Sequence, residues 1–471
     1  MQTNKKWWIF TAIVIFSFMS TLTSSIVNIA LPVISKAMHI STIQSNWIVS
    51  IYLIITCMLL LPFGSLSDLY GKVKIFKYGA LIFTIGSLLC GFNLGFNFLL
   101  VARIIQAIGA SMTLSTNAAI ITETFSEAER GFSLGIFSAI VALGATVGPG
   151  LGGLILTYLP WNYIFWVNVP LGIITIILGQ VVLPKKQNTA YISIDFSGLI
   201  ILALTIGSLF TSLILGQRFG FQKLQFVTPL IISFVLAAAL IVMEKHTQNP
   251  AINFSLFRDM TFSINLVSTI LVYGLNFLVN IIGPLYLEEN RGLSTKTTGL
   301  ILMSFPIIQI IISPIAGRLS DRFGAWKTCF SGLFLLLLSQ VVLASVGHTT
   351  PIWILCVWLG LVGLGNGIFQ APNNVMIMGS VSEKKLGIVS GLLGLARNTG
   401  MTLGTIFSSI LLFQGISQVL GYSVNNYPQG HAAAFISGMH FTFLIMTLVF
   451  LCLSIISIWI QLRNKEQRRS Y

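Results

Sequence analysis

Two arginines stand inside long apolar runs, Arg103 and Arg397. A guanidinium stays charged and is costly to bury in hydrocarbon, so each must face a cavity, a carbonyl or a partner side chain. Gln106 follows Arg103 by nearly one helical turn and shares its face. The chemistry on offer is electrostatic: drawing in an anion, orienting a polar ligand, or balancing a moving proton. The twelve acids bear on that choice. Asp68, Glu123, Glu127, Glu129, Asp195, Glu244, Asp259, Asp321, Glu383 and Glu466 fall in loops or at run ends, and Glu288 and Glu289 at the end of another run. None sits at the middle of a run, where a carboxylate would be the obvious proton carrier and cation ligand. Neutral polar residues are better placed. Ser17, Ser20, Ser24 and Asn28 are spaced to share a helical face, as are Asn265, Asn276 and Asn280, and Asn366, Gln370 and Asn373 or Asn374. Tyr52, Tyr273 and Phe369 add flat apolar faces. These residues are candidates to line a cavity, and the same types also serve as hydrogen-bonded glue between membrane helices.

Other chemistries lack their residues. Cys57, Cys90, Cys329, Cys356 and Cys452 are far apart, and His39, His246, His348, His431 and His440 form no ligand cluster. No Walker loop is present. The expectation is no metal, no cofactor, no ATP hydrolysis and no enzymatic activity.

The elements that must position these side chains are apolar runs of about 20 residues, the length that crosses a bilayer as a helix. Fourteen occur, near residues 7–33, 46–67, 75–93, 97–121, 132–158, 162–183, 195–215, 226–243, 262–287, 297–317, 327–346, 352–378, 387–412 and 434–461. They are continuous rather than alternating, which favours helices over barrel strands. The first is too long and too polar for a signal peptide. Composition agrees: 55% of the 471 residues are hydrophobic and 8% charged, against roughly a quarter charged in soluble domains. The net charge of +14 is spread between runs rather than gathered on one basic face, which argues against nucleic acid. With the N-terminus inside, nineteen of the 26 Lys and Arg fall in inside segments and five in outside loops. That bias is the positive-inside rule, and it places both termini in the cytoplasm. Trp7, Trp8, Trp47, Trp161, Trp326, Trp353 and Trp459 lie near run ends, where interface anchors sit.

An internal repeat organises the runs. Gly64-Ser-Leu-Ser-Asp68-Leu-Tyr-Gly71 returns, 253 residues on, as Gly317-Arg-Leu-Ser-Asp321-Arg322-Phe-Gly324. A second echo takes Gly135, Ser138, Gly148 and Gly152 to Gly387, Ser390, Gly400 and Gly404, each at 252 residues. Both copies of the first pattern follow an even-numbered span, so the repeat is parallel. The expected organisation is a six-helix bundle over 1–184, two inserted helices with linkers over 185–258, and a second six-helix bundle over 259–471. Gly144, Gly148 and Gly152 lie on one helix face beside Pro149 and Gly153, a pattern for close and bendable helix contact. Asp68 and Asp321 stand where a helix meets a tight turn, suited to pair with a cation or to face a helix N-terminus.

With these motifs in place, the chain resembles the major facilitator superfamily, and within it the fourteen-span drug:proton antiporters. Asn28-Ile-Ala-Leu-Pro32, the two Gly-Asp-Gly loops, Arg103-Ile-Ile-Gln106, Gly144-x3-Gly148-Pro149-x2-Gly152-Gly153 and Trp161-Asn-Tyr-Ile-Phe165 carry the resemblance over essentially the whole chain. The resemblance implies an all-α polytopic fold of two six-helix bundles plus two helices, acting as a monomer in the cell membrane. It implies export of amphipathic drugs or toxic compounds by proton antiport with alternating access. Arg103 and Gln106, and with them Arg397, would serve coupling or cavity electrostatics. Gly64, Asp68, Gly71, Gly317, Asp321, Arg322 and Gly324 would form cytoplasmic gating loops. The Gly144 motif would form a seam between the halves. Ser20, Thr23, Ser24, Asn28, Tyr52, Asn276, Asn280, Asn366, Gln370 and Asn373 would line the substrate cavity. The partners implied are the lipid bilayer, a small-molecule substrate and protons. Three positions depart from the family pattern: Leu69 for an Arg, Ala107 for a Gly, and Thr23 for the usual Asp. Proton coupling therefore rests on the resemblance alone. Two buried arginines without a central acid also fit export of an endogenous anion or a lipid-linked precursor, and a non-transporting membrane sensor is a third reading.

Overall fold

Every apolar run becomes a helix, because a continuous apolar segment satisfies its backbone in hydrocarbon through intrahelical bonds. The computed structural model describes residues 3–184, 195–245, 247, 254–422, 424 and 431–469. Lys185, Lys186 and His246 lie outside the described residues. Fourteen helices are long and apolar enough to cross a membrane. We number them α1 (Thr3–Ala37), α2 (Thr42–Tyr70), α3 (Lys72–Cys90), α4 (Phe96–Thr124), α5 (Glu127–Tyr158), α6 (Asn168–Val182), α7 (Phe196–Phe219) and α8 (Leu224–Lys245). They continue as α9 (Met260–Pro284), α10 in two pieces (Thr295–Leu302 and Ser304–Phe323), α11 (Ala325–Leu343), α12 (Ile352–Gly379), α13 (Leu386–Leu420) and α14 (Ala432–Arg469). A short turn, Tyr163–Trp166, leads into α6, and a π-helical turn, Leu285–Asn290, closes α9.

Capping residues set several starts. Ser41 and Gln44 form a capping box at α2, and Ser294 caps α10. Asp259 caps α9 and Asp195 caps α7. Hydrogen bonds from the Gly198 N–H and from Ser197 hold the Asp195 carboxyl below the usual carboxylate range. Gly71 and Gly324 have φ of 98° and 95°, and each alone separates two helices, α2 from α3 and α10 from α11. A side chain is strained in that conformation, so the motif glycines are what allow a one-residue reversal.

The described residues group into two compact units. The first holds Met1–Ser126, Ile140–Asn253 and Met378–Leu395, and the second Glu127–Ala139, Phe254–Ile377 and Ala396–Tyr471. Each half of the sequence thus gives the start of one helix, α5 or α13, to the unit built mainly by the other half. The first unit has an apolar core that includes Ile26, Ile48, Leu99, Trp161, Ile164 and Phe165. Trp161 is buried there and does not act as an interface anchor, whereas Trp8, Trp353 and Trp459 are exposed. The second unit packs around Leu278, Leu336, Trp358, Phe369, Phe435 and Phe443.

The inserted hairpin α7–α8 belongs to the first unit and docks on α2. Gly207 leaves room for Met58, and near the other end of α7 Arg218 donates to Ser50 Oγ at 2.8 Å. The Arg218 guanidinium also lies 5.2 Å from the centre of the Trp47 ring. The insert is therefore fastened to the helix that also carries Tyr52 and Asp68.

Candidate functional site

Arg103 is fully buried on α4, and its contacts are satisfied without an acid. Its Nε donates to the Ile48 carbonyl at 2.9 Å and a terminal nitrogen donates to Gln106 Oε1 at 2.6 Å. Gln106 passes the contact on, donating from Nε2 to Ser87 Oγ on α3 at 2.8 Å. The guanidinium carbon lies 4.2 Å from the centre of the Tyr52 ring and 5.7 Å from that of Phe165. Among the described residues no carboxylate lies within ion-pair distance of Arg103. Two carbonyl-type oxygens and two π faces thus hold a charge that cannot leave. The i,i+3 spacing to Gln106 was legible in the sequence; the partners from α2, α3 and the turn before α6 were not.

Tyr52 joins this cluster to α1. Its hydroxyl stands 3.4 Å from Ser20 Oγ. Along that face Ser20 is buried, while Ser24 and Asn28 are exposed, and Asn28 donates back to the Ser24 carbonyl at 3.2 Å. Ser17 is turned into the protein and accepts from Asn117 Nδ2 at 2.8 Å. Thr23 is fully buried and its hydroxyl is spent on the Met19 carbonyl of its own helix. Among the α1 cavity candidates the exposed ones are therefore Ser24 and Asn28, not Thr23.

The second unit distributes its polar residues differently. Asn276 on α9 and Asn366 on α12 exchange two side-chain hydrogen bonds of 2.8 and 2.7 Å. Two turns of each helix away, Asn373 donates to Thr269 Oγ1 at 2.8 Å. Asn366 and Asn373 are fully buried, so this stripe ties α9 to α12, while Asn280 is exposed and Gln370 is buried. Asn276→Ala is expected to destabilise the protein by about 1–2 kcal/mol, because it removes the donor to buried Asn366 Oδ1, while the Asn366 amide nitrogen keeps the Val362 carbonyl. Replacing Asn276 and Asn366 together by leucine should cost less than the single alanine change. Thermal unfolding in detergent checks this, and a double variant worse than the single one would refute the pairing. Arg397 is half-buried rather than buried, with the Tyr273 ring centre 5.7 Å from its guanidinium carbon.

The two Gly-Asp-Gly turns build the same device twice. Asp68 accepts from the Gly387 and Ile388 N–H groups at the start of α13, at 2.8 and 3.0 Å. Asp321 accepts from the Gly131 and Phe132 N–H groups near the start of α5, also at 2.8 and 3.0 Å. A carboxylate at a helix N-terminus meets partly positive N–H groups, so each aspartate caps and pins its partner helix. Glycines let the backbones touch. A methyl added at Gly64 would strike the Gly387 carbonyl, and one at Gly317 the Gly131 carbonyl. One turn along, Gly391 meets the Leu60 carbonyl as Gly135 meets that of Ser313. These contacts correct the second echo. Gly131 matches Gly387, and Gly135 matches Gly391, a displacement of 256 residues rather than 252. Small residues every four positions look alike after a one-turn slip, and only the partners fix the register.

The two copies are not equal. Beside Asp68, Lys72 is buried 3.2 Å from Asp68 Oδ1 and 2.6 Å from Glu123 Oε1, and it donates to the Glu383 carbonyl at 3.1 Å. The position equivalent to Lys72 is Ala325. Around Asp321 there is instead a cleft of about 370 Å³ bordered by Glu129, Arg318 and Arg322, with Arg318 over the Phe132 ring at 4.1 Å.

The Gly144 motif makes its close contact with α1. Gly144 meets Phe18 and Thr21, Gly148 meets Ser25, and Gly152 meets Ile26, all in the first unit. Pro149 is exposed, and a methyl added at Gly153 would meet nothing within 4 Å. The glycine face is thus a seam inside one unit, where it allows α1 to lie against α5. It corrects the expectation of a seam between the halves. Gly400 and Gly404 repeat the contact with α9 in the second unit.

A family model described as Major Facilitator Superfamily matches residues 13–243 and 265–470. The riboflavin transporter RibZ of Clostridioides difficile is 33% identical over 440 residues, 92% of this chain and 92% of that protein. The multidrug resistance protein Stp of Mycobacterium tuberculosis is 30% identical over 84% of this chain and 74% of its own length. The crystal structure of the human organic anion transporter MFSD10 (TETRAN) shares the fold, with a TM-score of 0.65 at 14% identity, covering 96% of this chain and 99% of that one. The chain belongs to the major facilitator superfamily of membrane transporters, as a multi-pass protein with fourteen membrane helices.

Proposed function

We propose that the chain is a secondary exporter of flat, amphipathic small molecules across the cell membrane, with both termini cytoplasmic, working as a monomer by alternating access. The observation that carries this reading is the twice-built crossing, Asp68 on α13 and Asp321 on α5. Each is a discrete contact that is made in this structure, of the kind a two-state gate would make in one state and break in the other. The exposed Ser24 and Asn28 on a membrane helix support a polar path for the cargo. Relatives named as multidrug resistance or efflux proteins support a drug-like substrate. Proton antiport is part of the proposal. In place of a central acid, the gate carboxylates are the groups where a proton would act, since neutralising either removes its charge from a helix start.

In proteoliposomes, an imposed proton gradient should drive accumulation of a lipophilic dye at several times the rate seen without it. Dye flux indifferent to the gradient overturns the coupling. Arg103 without a carboxylate favours a second reading, in which neutral or anionic flat compounds move better than cations. The name of the 33%-identical relative supports it. Riboflavin and a cationic dye, compared in the same vesicles, separate the two.

A further inference from the structure

Arg103 is a fully buried cation with no carboxylate at ion-pair distance among the described residues, and the nearest ring to it is that of Tyr52. Ile48 and Tyr52 are four residues apart on α2, so one helix face offers Arg103 a carbonyl at 2.9 Å and an aromatic plane at 4.2 Å. The same tyrosine ends in a hydroxyl 3.4 Å from Ser20 Oγ, on the α1 face that continues to exposed Ser24. We propose that Tyr52 is the positioning residue for Arg103, its ring fixing the guanidinium and its hydroxyl linking that cation to cargo on α1. The inference rests on the transport reading for its second half only.

The ring and the hydroxyl of Tyr52 have separate roles. A ring face attracts a cation through its quadrupole, and this attraction grows where water is excluded, as it is around a fully buried guanidinium. Phenylalanine keeps that face and leucine does not. The hydroxyl contact at 3.4 Å is long for an O–H···O bond, so the group is poised to exchange Ser20 for a polar atom of a ligand. A cargo bringing such an atom to Ser24 would bear on Tyr52 and, through the ring, on the orientation of Arg103.

Two measurements test this. The first is a double-variant cycle on the purified full chain, read by thermal unfolding in detergent. Tyr52→Leu and Arg103→Met should be strongly non-additive, the pair losing little more than Arg103→Met alone, while in the Tyr52→Phe background Arg103→Met should cost as much as it does in the wild type. Additive losses in the leucine cycle overturn the ring as the seat of Arg103, whatever the transport assay shows. The second is riboflavin and lipophilic-dye flux in proteoliposomes. Tyr52→Phe should raise KM about five- to twenty-fold and hold the maximal rate within about twofold, and Tyr52→Leu should lower the maximal rate at least about tenfold. Equal loss of maximal rate in both variants overturns the division between ring and hydroxyl. If the wild type moves neither probe, the transport reading and the cargo link fail together, and the cycle alone decides the seat.

Discussion

Replacing Gly387 by leucine should abolish transport. The first added carbon would lie 2.5 Å from the Gly64 carbonyl oxygen and 2.7 Å from Asp68 Oδ1, and closer still to Ser67 Oγ. No rotamer escapes this, because the obstruction begins at Cβ and two of the groups it meets are fixed: a backbone oxygen and a carboxylate held by two N–H bonds. Overpacking costs roughly 1–3 kcal/mol, and the two charge-assisted bonds to Asp68 would be strained with it. In a two-state carrier the cost falls only on the state in which this crossing is made. A bias of about 1–3 kcal/mol shifts the two populations by roughly 5–150-fold, enough to stop a cycle that must visit both. Gly131→Leu should act alike through Asp321 and the Gly317 carbonyl. Gly299→Ala, with nothing within 4 Å of its added carbon, should be tolerated. Dye flux in proteoliposomes reads the loss. Labelling of a cysteine introduced near Lys384 should rise in Gly387→Leu if the crossing has opened. Normal flux in Gly387→Leu would show that the crossing is not part of the cycle.

These positions show where sequence reasoning reached and where it stopped. The fourteen helices were legible because a bilayer imposes one length and one backbone solution on every span. Gly71 and Gly324 were legible as turn residues, since the pattern repeats with its aspartate intact. The aspartates' partners were open between a cation and a helix start, and the structure uses both at Asp68 but only backbone N–H groups at Asp321 among the bonds described. Register was not legible where glycines recur every fourth residue, hence the slip from 256 to 252. The asparagine stripes had two readings from the start, lining or glue, because spacing gives a face but not what lies opposite. Asn366 and Asn373 proved to be glue and Asn280 an exposed group. The glycine motif of α5 gives its face in the sequence but not its partner, since nothing local in Gly144–Gly153 says that α1 fills the groove.

Replacing Arg103 by lysine, a change that keeps the charge, should cost most of the transport rate. The guanidinium serves three groups at once: Nε donates to the Ile48 carbonyl, a terminal nitrogen donates to Gln106 Oε1, and the Tyr52 ring lies against it. An ammonium is a point donor on a flexible stem and cannot reproduce this two-donor geometry beside a ring face. At least one buried acceptor is then left without its donor, at roughly 1–3 kcal/mol. Gln106, released from Arg103, also loses the constraint that aims its Nε2 at Ser87. A loss of at least about tenfold in maximal rate, equivalent to about 1.4 kcal/mol, is expected in proteoliposome flux. Arg397→Lys should lose only about twofold, since Arg397 is half-buried and its closest described charge contact is one ring at 5.7 Å. The contrast separates geometry from charge. If charge alone mattered, both lysine variants would transport normally, and a wild-type rate in Arg103→Lys would remove the geometric role assigned to the α2 face. If the two variants lost equally, burial would not be what distinguishes the arginines. Gln106→Leu completes the comparison. It leaves the Ile48 bond and the Tyr52 face intact, so its loss should lie between the two and should fall on maximal rate rather than on KM.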